Sequence, residues 1–143
     1  MDYRKGAHST YDLKYHIVFC TKYRYRVLTG EVAERTRALI REVCEANYVQ
    51  LISGSLSPDY IHLLLSVPPN LAISKLLQYI KGKSSRKLQM EFAHLKKRYW
   101  GQHLWARGFF VVTVGNVNAE AVQRYIEQQE MHHKQDDFKI SEY

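Results

Sequence analysis

Between the turn Ser57-Pro58-Asp59 and the pair Pro68-Pro69 the chain reads Tyr-Ile-His-Leu-Leu-Leu-Ser-Val, from Tyr60 to Val67. No other stretch limits the fold as much. The prolines hold it to the length of a strand, and it is apolar except at His62 and Ser66, which suits a central strand covered on both faces. The rest of the chain must supply its neighbours. From Tyr11 to Thr21 residues alternate, with Leu13, Tyr15, Ile17 and Phe19 on one side and Asp12, Lys14 and His16 on the other, as in a half-buried strand. Thr29 and Gly30 can cap a helix that buries Val32, Leu39, Ile40, Val43 and Cys44, wets Glu31, Glu34, Arg35, Arg37, Arg41 and Glu42, and ends at Asn47.

Tyr48 to Leu56 reads as a second strand, interrupted by Gly54. After Pro69 a helix spans about Ala72 to Phe92 with Ile73, Leu76, Leu77, Ile80 and Leu88 inward, weakened by Gly82. The basic linker Lys96-Lys97-Arg98 leads to a fourth strand, Phe109 to Val114, rich in β-branched and aromatic residues. Gly115 breaks it, and Asn118 can cap a last helix running to about His133. The order is β-α-β-β-α-β plus a helix, which predicts an α+β, ferredoxin-like antiparallel sheet with helices on one face. Such a fold hosts many functions, so the chemistry must come from particular residues.

A chain of 143 residues holds one ordinary domain. Residues 1–10 and 134–143 are expected to be flexible ends. With 45% hydrophobic and 24% charged residues the balance is globular. No apolar run approaches the roughly 18 residues of a membrane span, and Met1 to His8 lack the apolar block of a secretory signal. The expected location is the cytoplasm, where Cys20 and Cys44 stay reduced. Net charge is +7 and eleven residues are tyrosine, so the surface attracts polyanions and offers rings for base stacking. A basic surface alone leaves open a merely soluble protein; the placement of the charge decides.

Three features carry candidate chemistry. His62 shares a strand face with Tyr60 and Leu64, although a lone strand histidine is more often a packed residue than a ligand. Tyr125 and Gln129 stand four residues apart, hence on one helix face. The plain alternative is that Val122, Tyr125 and Ile126 form a packing stripe. As a nucleophile, a phenol with a pKa near 10 needs a metal ion or base, and an amide oxygen such as that of Gln129 suits hard cations. Finally, Lys22-Tyr23-Arg24-Tyr25-Arg26 interleaves cations with rings, and Lys81-Gly82-Lys83-Ser84-Ser85-Arg86 joins cations to small hydroxyl residues suited to phosphates.

Taken together, Ser57-Pro58-Asp59-Tyr60-Ile61-His62-Leu63-Leu64-Leu65-Ser66, Lys81-Gly82-Lys83-Ser84-Ser85-Arg86, Tyr99-Trp100-Gly101-Gln102-His103-Leu104-Trp105-Ala106-Arg107-Gly108 and Tyr125-Ile126-Glu127-Gln128-Gln129 resemble the TnpA-like, HUH-type tyrosine transposases of the smallest bacterial insertion sequences. The likeness runs from about Tyr11 to Gln129. It implies that Tyr125 attacks a phosphodiester of single-stranded DNA, leaving a 5′-phosphotyrosine and a free 3′-hydroxyl that later rejoins. It implies a divalent cation, Mg2+ or Mn2+, held by His62, Gln129 and the residue at the place of a first histidine. It further implies a homodimer with active sites shared between protomers, hairpins at the element's ends as the DNA recognised, and Gly115 as a hinge for the last helix. Tyr23, Arg24, Arg26, Lys81, Lys83, Ser84, Arg86 and Arg107 are the expected DNA contacts.

One position departs from the family pattern: Tyr60 stands where the first histidine belongs. A neutral phenol is a poor ligand, and binding as phenolate requires the cation itself to drive off the proton. Asp59 points to the opposite sheet face and is no simple substitute. The alternative to a working transposase is therefore a catalytically weakened or inactive copy that binds hairpin or single-stranded nucleic acid.

Overall fold

The computed structural model describes residues 3–114 and 123–128. Its first paired segments are β1 (Arg4–Lys5) and β2 (Thr10–Tyr11), a short antiparallel ribbon. The Arg4 guanidinium donates to the carbonyls of Ser66 (2.8 Å) and Tyr48 (2.8 Å), which ties the ribbon to the main sheet. Within the stretch 1–10 expected as a flexible end, Lys5 pairs with Thr10, and Arg4 with Tyr11 just beyond it, and the anchor is a single arginine. Residues 134–143 lie outside the described residues.

The main elements follow as β3 (Lys14–Cys20), α1 (Gly30–Ala46), β4 (Gln50–Ser57), β5 (Tyr60–Ser66), α2 (Ile73–Glu91), α3 (Ala93–Arg98) and β6 (Phe110–Thr113). The strands form one four-stranded sheet in the order β4-β5-β3-β6, antiparallel throughout. This is the ferredoxin-like arrangement. The basic linker at 96–98 is helical, as the last turn of α3. Thr29 takes the N-cap position of α1 but makes no side-chain cap bond, whereas Asn47 closes that helix by donating its amide to Val43 O (2.8 Å). Gly82 does not break α2, which continues nine residues past it to Glu91.

Side-chain alternation divides the sheet into two unlike faces. Ile17 and Phe19 of β3 and Ile61, Leu63 and Leu65 of β5 face α1 and α2, forming a core with Leu39, Ile40, Val43, Leu76, Leu77, Ile80 and Leu88. Burying each such side chain stabilises by roughly 1.5–3 kcal/mol. At the exposed edge of the helix pair, Arg35 bonds Glu91 and Glu42, and Lys83 bonds Glu42, pairs that add little each. The other face carries His16, Val18 and Cys20 of β3, Tyr60, His62 and Leu64 of β5, and Phe110 and Val112 of β6. Along β5 burial alternates between half-buried and buried up to Leu65. The central position expected for this strand holds; among the described residues the second face carries only the segment 123–128, over Val18, Cys20 and Tyr60, and Tyr60, His62 and Leu64 stay half-buried.

Candidate active site on the open face of the sheet

Register brings the two strand histidines together. In the β3–β5 ladder Val18 pairs with His62 and His16 with Leu64, so the histidines are diagonal neighbours on one face, within reach of each other. His16 Nδ1 lies 3.0 Å from His62 Nε2, with the rings tilted 45° and their centroids 5.2 Å apart. Burial, and secondarily the nearby His16, lowers the pKa of His62 from its usual value; both effects favour the neutral imidazole, the form that can ligate a cation. Sequence reading assigned His16 to the wet side of its strand. His62 interrupts an apolar run, but His16 follows Asp12 and Lys14 on the polar side of its strand, and pairing register is not written in either strand alone.

Residues 123–128 are helical and lie against the same face. Tyr125 and Ile126, 7% and 6% exposed, pack with Val18, Cys20 and Ala106, and with Tyr60 and Phe110. The Tyr125 and Phe110 rings are 5.2 Å apart. The tyrosine expected as nucleophile therefore sits in a cluster with Val18, the ladder partner of His62. The packing-stripe reading also describes this placement, so burial alone does not separate the two. Gln129, Val122, Gly115 and Asn118 lie outside the described residues.

Tyr60 faces the same side as His62 but is half-buried as part of that apolar cluster, with the Arg24 guanidinium 5.9 Å from its ring centre. Arg24 was expected on DNA; its guanidinium instead bonds the Asp59 carboxylate (2.8 Å) and donates to Ile126 O (2.9 Å). That pair is nearly buried, 11% exposed on each side, which also commits Asp59 away from any cation. The basic segment on α2 divides likewise. Ser84 is 1% exposed; its hydroxyl donates to Ile80 O (2.6 Å) and accepts from the Trp105 indole (2.8 Å), a core role that corrects the expected phosphate contact. Lys81 donates to Ala106 O and Gly108 O (2.5 Å), and burial pushes its pKa down to about 8. Lys83 pairs with Glu42, whereas Tyr23, Arg26, Arg86 and Arg107 are exposed.

A sheet face with paired imidazoles and a tyrosine helix seated on it, in a chain with exposed Arg26, Arg86 and Arg107, is a build that suits work on DNA phosphates. The chain belongs to the IS200-like transposases: the family model described as "Transposase IS200 like" matches residues 9–129. It is 36% identical over 129 residues to the ISDra2 transposase TnpA of Deinococcus radiodurans, covering 90% of this chain and 92% of that protein. It is 38% identical over 128 residues to the transposase for insertion sequence element IS200 of Salmonella typhimurium, covering 90% and 84%. A crystal structure from Deinococcus radiodurans R1, assigned as a transposase, superposes with a TM-score of 0.81 at 37% identity, over 88% of this chain and 97% of that one. A REP-associated tyrosine transposase bound to a REP hairpin shares the fold at a TM-score of 0.53 and 12% identity, over 92% and 74%. Among the described residues no helix is long and apolar enough to cross a membrane.

Proposed function

We propose that this transposase cuts and rejoins single-stranded DNA at the hairpin-bearing ends of its element, in the cytoplasm, through a 5′-phosphotyrosine on Tyr125. The observation that carries this reading is the seating of Tyr125 on the face that holds His62, in one cluster with His62's ladder partner Val18. In the cutting step the phenol oxygen of Tyr125 forms a bond to phosphorus while the bond to the 3′ oxygen breaks. The phenol proton ends on the released 3′-hydroxyl. Rejoining runs the same exchange backwards with a new 3′-hydroxyl, so neither water nor ATP is consumed.

The donors on the open face fit the Mg2+ or Mn2+ that the family resemblance implies. His62 offers a half-buried ring nitrogen, and a second imidazole stands 3.0 Å away. Among the described residues no group of three His, Cys, Asp or Glu comes together, so the reading assigns the remaining positions to the Gln129 amide oxygen and the DNA phosphate. When bound, the cation polarises the phosphate and offsets charge that develops on it. Exposed Arg26, Arg86 and Arg107, with Tyr23, hold the strand through phosphate contacts and stacking. The family resemblance also implies a homodimer in which the tyrosine helix can serve the partner's metal site in place of the seat on its own sheet that Tyr125 has here.

Tyr60 favours a second reading, a weakened copy that keeps nucleic-acid binding, because its ring packs as an apolar residue. The test is incubation with single-stranded DNA from the element's own ends and Mg2+ or Mn2+, read as a covalent band on a denaturing gel. The expected result is a band that chelation and Tyr125→Phe both abolish while DNA binding persists. A band surviving Tyr125→Phe overturns the nucleophile. Binding without a band, with the band appearing in Tyr60→His, selects the weakened copy.

A further inference from the structure

We infer that His16 provides the second imidazole of the cation site, standing in from the neighbouring strand for the histidine that Tyr60 displaces. This rests on the proposed cation at His62, and it concerns which side chain completes that site.

The spacing is that of a hydrogen bond and is also one that chelation can use. Two nitrogens each about 2.1 Å from one cation and roughly 90° apart around it are separated by about 3 Å; His16 Nδ1 and His62 Nε2 are 3.0 Å apart. Different ring atoms converge because the residues approach from different strands: His62 lies two residue pairs along the ladder from His16, opposite Val18. Both rings are half-buried on the open face, so a cation there replaces one N–H···N hydrogen bond by two ligand bonds and leaves sites for DNA oxygens. The pairing requires the proton on Nε2 of His16 and on Nδ1 of His62, tautomers that the cation itself selects. Competing ligands nearby are engaged: Asp59 is paired with Arg24, and burial pushes the Cys20 thiol up to about 11. Tyr60 packs against the cluster around Tyr125. His16 is held to the sheet on both sides, opposite Leu64 of β5 and Val112 of β6, so its position does not depend on the residue at 60.

The experiment is calorimetric titration of the full chain with MnCl2, without DNA, for the unmodified protein, His16→Gln, His62→Gln, Tyr60→His and the double variant His16→Gln/Tyr60→His. Ring resonances are followed in parallel by NMR, with circular dichroism as the check on folding. The expected result is at least a tenfold loss of Mn2+ affinity in His16→Gln, comparable to that in His62→Gln. The double variant regains most of the loss, because a histidine at 60 restores a second imidazole. Added MgCl2, a diamagnetic probe, shifts the ring nitrogen resonances of both His16 Nδ1 and His62 Nε2 in the unmodified chain. Unchanged affinity in His16→Gln alongside loss in His62→Gln overturns the inference, as does a Mg2+-induced shift at His62 Nε2 with none at His16 Nδ1. If the unmodified chain binds no Mn2+, the inference is overturned as well, and the covalent band at Tyr125 then reports separately on the proposed function.

Discussion

At the scale of single residues, the structure separates side chains that look alike in sequence. Arg24, Arg26, Lys81 and Lys83 all read as one basic surface, yet Arg24 is built into a nearly buried ion pair with Asp59. Removing one partner of such a pair leaves an uncompensated charge and is strongly destabilising, whereas replacing both by apolar groups is often neutral. Asp59→Ala is expected to cost about 3 kcal/mol of unfolding free energy in urea denaturation, and the double variant Asp59→Ala/Arg24→Met to recover most of it; a cost below about 1 kcal/mol in the single variant contradicts a paired, desolvated Arg24. His62 was legible because it interrupts an apolar run. His16 was not, because its meaning comes from the diagonal contact across the ladder, and register is set by the whole sheet rather than by either strand.

At the scale of elements, hydrophobic periodicity located nearly everything. The helices over 30–46 and 73–91 and the strands of the main sheet stand within a few residues of their expected places. The misses have local causes. The ribbon β1–β2 rests on Arg4 reaching two carbonyls, and Ser84 looked polar and available but closes a bond to Trp105 across the helix–loop contact. Lys81 ties α2 to the segment at 106–108, and its pKa of about 8 gives this tie a sign. An unfolded lysine titrates near 10.5, so between about 8 and 10.5 the unfolded chain binds more protons, and Lys81 contributes stability present above about 10.5 and lost as pH falls through about 8. Unfolding free energy of the unmodified protein relative to Lys81→Met is expected to rise by about 2 kcal/mol from pH 8 to 10; a flat difference contradicts a desolvated Lys81. A second change on α2 needs no charge. A Cβ added at Gly82 meets nothing within 4 Å, so Gly82→Ala is expected to raise stability by roughly 0.5–1 kcal/mol through helix propensity, and a loss in thermal melts contradicts the open helical site.

At the scale of the whole molecule, one layer of helices on one side of the sheet is what makes a site available. The second face holds the imidazole pair and the tyrosine helix, in a chain of net charge +7. The family was legible from four motifs spread along the chain. What single-chain motifs do not carry is how the site is completed where Tyr60 breaks the pattern, since that depends on which side chains the fold brings face to face. The central claim is that Tyr125 becomes covalently joined to DNA. The most direct measurement is proteolysis of the protein–DNA adduct formed with Mn2+, followed by mass spectrometry of the DNA-bearing peptide. The expected product carries a nucleotide phosphate on Tyr125, linked to the 5′ side of the break. A phosphate on any other residue, or cleaved DNA without an adduct, contradicts it.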